Sequence, residues 1–140
     1  MAQILDFYHE AAANTLAKPQ TMTSSNVDGS GTGTDLLGYR QALLIAQVGA
    51  SGGLAGASNK ATIAFVESSD NSTFTAIADT DLVGGNNTYL IDANANANCT
   101  IVRSYIGTKR YVRIEFQATA GAVSLPVTAT IIRGKPIQVR

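Results

Sequence analysis

Apolar and polar positions alternate through much of this chain. In Arg110–Thr119, "RYVRIEFQAT", Val112, Ile114, Phe116 and Ala118 alternate with Tyr111, Arg113, Glu115 and Gln117. That period of two predicts a half-buried strand. Lys60–Ser68, "KATIAFVES", puts Ile63, Phe65 and Glu67 on one face with Ala64 and Val66 on the other. Asp35–Val48 holds the most apolar run. Gly38 interrupts it and "GASGGLAG" follows it, which favours a strand near Gln41–Val48, expected to be buried on both faces. Further strands are expected at Thr73–Ala78, Thr100–Val102 and Val123–Arg133, and Pro126 should put the last of these on an edge or at a bulge. Asp79–Asn98 reads as one long loop.

The N-terminal segment breaks this rhythm. Ile4, Leu5, Tyr8, Ala11, Ala12 and Leu16 would line one face of a helix, and Pro19 would close it. A short helix or an extended arm is expected there, and an arm would carry Ile4, Leu5 and Phe7 to a neighbouring subunit. The Gly/Ser/Thr-rich loop that follows completes an N-terminal part, residues 1–34, ahead of a β body, residues 35–140. Strands with β-branched and aromatic residues, divided by turn signals, define an all-β chain. The expected architecture is an antiparallel β-sandwich of jelly-roll type. At 140 residues the chain is sized for a single domain.

Composition narrows the function more than the fold. Charged residues are 14% of the chain, against about 25% in an ordinary soluble domain. Such a surface suits a protein packed against others. Net charge is zero but unevenly spread: residues 101–140 hold seven basic groups and one acidic group, Glu115. Lys109, Arg110 and Arg113 are the candidate cluster for docking on carboxylates, since a guanidinium pairs with them bidentately. A neutral chain lacks the cationic excess that nucleic acid demands. No apolar run approaches the ~20 residues of a membrane span. The first twenty residues carry Asp6, His9 and Glu10 where a secretory signal would be apolar, so use inside a reducing cytoplasm is expected.

Candidate chemistry is sparse. "SSDN" in Phe65–Ile77 has the residues of a hairpin bend, and strand resumes too soon for a calcium loop. "DTDLVGG" at Asp79–Gly85 offers two acids without a third oxygen or a closing glutamate, and "GTGTDLLG" at Gly31–Gly38 lacks the lysine and the strand-to-helix frame of a phosphate loop. The one histidine, His9, lies far in sequence from the one cysteine, Cys99. Several-cysteine zinc sites and internal disulfides are excluded. No catalytic, metal or cofactor residues are assigned, and an enzyme is not expected.

The order "DLLGYRQALLIAQVGA", "FVESSDNSTFTAIADTDLVGG", "YIGTKRYVRIEFQATAG", "ATIIRGKPIQ" resembles a family of small proteins from tailed bacteriophages and prophages, the capsid decoration or cement proteins. The likeness spans roughly residues 35–138, and "ESSDNSTFT" and "KRYVRI" are its most specific pieces. It implies a non-enzymatic virion protein that binds the phage major capsid protein on the outside of the expanded head. It further implies a homo-oligomer, a trimer in the first instance, assembled in the host bacterial cytoplasm without direct contact to nucleic acid or membrane. Another phage part, from the tail or a head-completion complex, and a carbohydrate-binding jelly roll are the alternatives. Discoidin-like sugar binders share a similar turn and a similar "RYVR" strand.

Overall fold

A computed structural model of the chain describes residues 11–23, 32–50, 60–120 and 124–136. It contains ten strands among those residues: β1 (Ala11–Met22), β2 (Thr34–Asp35), β3 (Tyr39–Val48), β4 (Lys60–Ser68), β5 (Thr75–Ala76), β6 (Leu82–Val83), β7 (Thr88–Ile91), β8 (Cys99–Tyr105), β9 (Tyr111–Ala120) and β10 (Leu125–Pro136). Every pairing is antiparallel. The first sheet runs β1-β10-β3-β8-β6, and the second runs β2-β9-β4, with β5 and β7 sharing the far edge of β4. Strands β1 to β4 alternate between the sheets, as do β8, β9 and β10. This alternation, with β10 between β1 and β3 and β9 between β2 and β4, is jelly-roll order. The all-β sandwich expected from the alternating pattern is therefore the fold.

The core lies where the two inner faces meet. From the first sheet come Ala42, Leu44 and Ala46 of β3 with Val127, Ala129 and Ile131 of β10. From the second come Ile63 and Phe65 of β4 with Val112, Ile114 and Phe116 of β9. Met22, Ile77, Ile91 and Leu125 close the ends of this layer. Each Val, Leu, Ile, Met or Phe side chain among these contributes about 1.5–3 kcal/mol when fully buried, so the alternating positions dominate the stabilisation.

Five local expectations are corrected. Residues 11–22 form a strand rather than a helix: they pair with β10 from Gly134 to Leu125, and this antiparallel ladder outweighs the helical propensity of alanine. Pro19 does not end that element, because β1 is an edge strand and proline's missing donor is tolerated there. Pro126 sits on a central strand, not an edge, but as the second residue of β10, where the ladder is only beginning. The stretch Asp79–Asn98 holds β6, β7 and two short 3-10 turns rather than one loop, because its strands are too brief to display a period. Strand β3 is also not buried on both faces: Leu43 and Ile45 point away from the core and are half-buried, while Gln41 and Gln47 are exposed.

Candidate interaction surface

The two outer faces of the sandwich differ in chemistry. On the second sheet, β9 presents Tyr111, Arg113, Glu115 and Gln117 outward beside Ser68, Val66, Ala64 and Thr62 of β4. Arg113 forms an ion pair with Glu115, and Gln117 Nε2 donates to Glu115 Oε2 at 2.8 Å. The Arg113 guanidinium lies 3.9 Å from the centroid of the Phe74 ring. That cation–π contact buries the arginine to 8% exposure.

Phe74 is brought there by the turn between β4 and β5. Asp70 Oδ1 accepts from the backbone N–H groups of Ser72 and Thr73, each at 2.9 Å, and from the Ser68 hydroxyl at 2.8 Å. These donors, Thr73 first, hold the Asp70 carboxyl well below the usual carboxylate range. Asn71 takes the left-handed backbone, φ 59°, and its Oδ1 accepts from Gly33 N at 2.7 Å. The "SSDN" motif is thus the bend of a hairpin, as its residue types indicate, and it also carries Phe74 over the outer face.

At the end where β2, β3, β8 and β9 meet, Arg110 pairs bidentately with Asp35, Nε to Oδ1 at 3.0 Å and Nη2 to Oδ2 at 2.7 Å. The guanidinium lowers the Asp35 carboxyl and is itself raised by it. Arg133 Nη1 donates to the Asp35 carbonyl oxygen at 3.0 Å. Lys109 is exposed, and its backbone N–H donates to Tyr105 Oη at 2.9 Å. The three basic residues singled out in the sequence therefore do not act together. Arg110 and Lys109 lie at one end, Arg110 is committed to Asp35, and Arg113 is enclosed on the second sheet. Ile4, Leu5 and Phe7 lie outside the described residues.

The outer face of the first sheet is organised otherwise. Register places Ile132, Leu43, Ser104 and Val83 in one row across β10, β3, β8 and β6. The next row is Thr130, Ile45 and Val102, and the next is Thr128, Gln47 and Thr100. Gln41 and Pro126 stand at either end of the array. None of these positions is Asp, Glu, Lys or Arg. Val83 and Val102 are 56% and 42% exposed, and Leu43, Ile45 and Ile132 are half-buried. The result is an apolar centre flanked by hydroxyl and amide side chains. Beside it, at the β1–β10–β3–β8 end, a groove of about 600 Å³ runs among Thr21, Gln47, Asn98, Thr100, Pro126 and Thr128. Sequence reasoning missed this face because its residues belong to four strands that only the fold brings side by side.

Cys99 is half-buried, and its thiol donates to the Asn96 carbonyl oxygen at 3.3 Å. Burial raises its pKa. Among the described residues no three His, Cys, Asp or Glu side chains gather as a metal set, and no helix is long and apolar enough to cross a membrane.

No family model matches the chain, and no curated protein matches it. Among solved structures it is similar to a chain of Bacillus endospore appendages, described as a novel family of disulfide-linked pili, at 12% identity over 91% of this chain and 89% of that one, TM-score 0.47. It is also similar to a chain of Desmodium yellow mottle tymovirus, at 12% identity over 92% and 91%, TM-score 0.32. Both scores are too low to carry an inference. The class assignment, a jelly-roll β-sandwich, rests on strand order and register.

Proposed function

We propose that this chain is a structural protein of a tailed bacteriophage, a decoration protein that binds the major capsid protein on the outside of the expanded head. The observation that carries this reading is the outer face of the first sheet across β10, β3, β8 and β6, where the rows described above hold no charged residue and Leu43 and Val83 in one row and Ile45 and Val102 in the next are half-exposed. Interface centres are depleted in charge, whereas the surface of a free-standing domain is rich in it. The motif order of residues 35–138 supplies the phage context. The protein acts without catalysis or cofactor, as a homo-oligomer of which the trimer is the form the resemblance implies. It resides on the virion surface after assembly in the host bacterial cytoplasm.

The physical effect is mass action: every copy bound to the assembled shell and not to free subunits favours the shell. Several contacts per oligomer multiply that effect without any one being strong. Heads prepared without the protein should release DNA at a lower temperature than heads carrying it, and purified protein added back should restore the difference. Equal heat resistance with and without it would overturn the reading. A label seen only at one vertex or along the tail would assign it to another virion part instead.

The groove lined by Gln47, Asn98, Thr100 and Thr128 favours one second reading, a carbohydrate-binding module, since amides and hydroxyls match sugar hydroxyls. The chain contains no tryptophan to stack on a sugar ring. Retention on a glycan array, lost in Gln47→Ala, would support that alternative.

A further inference from the structure

We infer that an extended segment of the shell protein adds as a further strand along the open edge of β7, continuing the second sheet. The inference rests on the reading above that this chain binds a shell protein through the first sheet, and it names a second contact with that same partner.

Backbone direction defines the edge. Phe65 N–H donates to the Asn87 carbonyl oxygen at 2.9 Å, and the Phe65 carbonyl oxygen accepts from Ile77 N at 3.1 Å. Both backbone groups of Phe65 therefore point to the β5–β7 side of β4. Backbone direction alternates along a strand, so Ile63 and Ala61 point the same way and meet Tyr89 and Ile91 in the ladder. Thr88 and Leu90 then turn their N–H and C=O groups away from β4. Among the described residues, β7 pairs with no other strand and nothing bonds to those groups. The same alternation turns Asn86 outward, and its carbonyl oxygen does accept a bond, from Arg103 Nε of β8 at 3.1 Å. The open stretch begins just beyond it.

The sequence leaves this edge unguarded. Exposed edges are ordinarily blunted by proline, lysine or bulges. Edge strand β1 of the first sheet contains Pro19 and shifts register between Thr15 and Ala17 and again between Ala17 and Gln20. On β8, next to the two residues that β6 covers, Arg103 Nη1 donates to the Val102 carbonyl oxygen at 2.9 Å and lies over the edge. Thr88–Ile91 has none of these devices. Thr88, Tyr89 and Ile91 favour strand, and Leu90 is 47% exposed.

Chemistry selects the occupant. Donors and acceptors that recur at every second residue are matched by another extended backbone, the basis of strand addition. Neither a sugar nor a phosphate repeats its polar groups in that way. Length selects the source. β7 has four residues, and an isolated pair of short strands is marginal in water. A loose peptide, or a second copy meeting β7 by the edge alone, has little else to hold it. A partner already seated on the first sheet does. The two contacts are continuous: Arg103 of β8 reaches Asn86 beside the start of β7, and Val102 and Val83 stand on that same β8–β6 side of the first sheet.

The test uses the full chain and expanded heads prepared without it. Amide exchange read by mass spectrometry should find Thr88 and Leu90 fast in the free protein, and Tyr89 and Ile91, which face β4, slow. On heads the Thr88 and Leu90 amides should slow by at least about tenfold. Leu90→Pro removes one outward donor and sets a ring in the edge, and the fold makes no use of that N–H. It should bind heads at least about tenfold more weakly than wild type with an unchanged circular dichroism spectrum. Leu90→Ala keeps the donor and should lose less; equal losses assign the effect to the side chain and overturn the inference. Where Leu90→Pro disturbs the fold, Thr88→Pro makes the same test, and exchange on the wild type needs no variant. Retention on heads with both amides still fast, or with the proline variant binding like wild type, overturns the inference and leaves the decoration reading standing. Failure of the wild-type protein to bind heads overturns that reading and the inference with it. Slowing of both amides in the free protein as its concentration rises assigns the edge to a second copy and overturns the inference as well.

Discussion

Tyr105 donates its hydroxyl hydrogen to Glu67 Oε2 at 2.6 Å, from β8 of one sheet to β4 of the other. Tyr105 is 1% exposed and Glu67 8%, so the bond crosses the core beyond the reach of water. The same hydroxyl oxygen accepts from Lys109 N at 2.9 Å, which fastens the β8–β9 connection to the core. Removing the hydroxyl orphans both groups. Tyr105→Phe is expected to lower stability by about 1–3 kcal/mol in urea denaturation, the cost of a buried polar group left unpaired. Glu67→Gln keeps an amide oxygen to accept the bond and should cost less. The reverse order would mean that the carboxylate charge, not the phenol, organises the site.

Burial first, and then the bond to Glu67, pushes the Tyr105 phenol well above its ordinary value near 10. A folded-state pKa raised in this way stabilises the protein fully below about pH 10. The contribution is lost as pH climbs from there toward the folded value. The stability gap between wild type and Tyr105→Phe should therefore be constant at neutral pH and narrow above about pH 10, by at most about 1.4 kcal/mol per pH unit. Denaturant midpoints collected across that range check this, and a gap that widens in alkali would contradict it.

Asp70 gives the opposite dependence. Its lowered pKa means that the turn is stabilised by the charged carboxylate above the unfolded value near 3.9, and that this contribution fades as pH falls below it. Asp70→Asn should melt below wild type at pH 7. The two melting temperatures should converge as pH falls below about 4. Parallel curves would show that the carboxylate's charge is irrelevant to the hairpin.

Gly107 is sterically required. A Cβ built there would lie 2.5 Å from Tyr105 Cε2 and 2.6 Å from its Cζ and Oη. Because Tyr105 is enclosed, the ring has nowhere to go, and Gly107→Ala should cost about 1–3 kcal/mol, as overpacking does. In a Tyr105→Ala background the same substitution should cost almost nothing. Such strong coupling in a double-mutant cycle identifies the clash, while simple additivity would refute it.

Leu43 and Leu44 are neighbours with opposite fates, the first half-buried on the outer face and the second fully buried in the core. Leu44→Ala should cost about 2–5 kcal/mol. In dilute protein, Leu43→Ala should cost about 1 kcal/mol or less. Equal losses would mean that the outer face is already covered within one chain.

Much of this could be read along the chain. A strand's side chains alternate with a period of two, a property of the backbone alone, so Val112, Ile114 and Phe116 declare their inward face in the sequence. The same rule puts Glu67 with Ile63 and Phe65, and it selects Asp70 and Asn71 as a bend from their affinity for neighbouring N–H groups. The rest depends on which strands become neighbours. Whether Ala11–Met22 is helix or strand was decided by β10, which supplies a ladder that no local propensity could foresee. Arg113 became an enclosed residue through Phe74, and Glu67 found its donor in Tyr105, 38 residues away. The uncharged rows of the first sheet exist only when β10, β3, β8 and β6 lie side by side. Periodicity fixes the face of a residue because it is local. Register between distant strands fixes its companions, and that is settled only when the whole core packs at once.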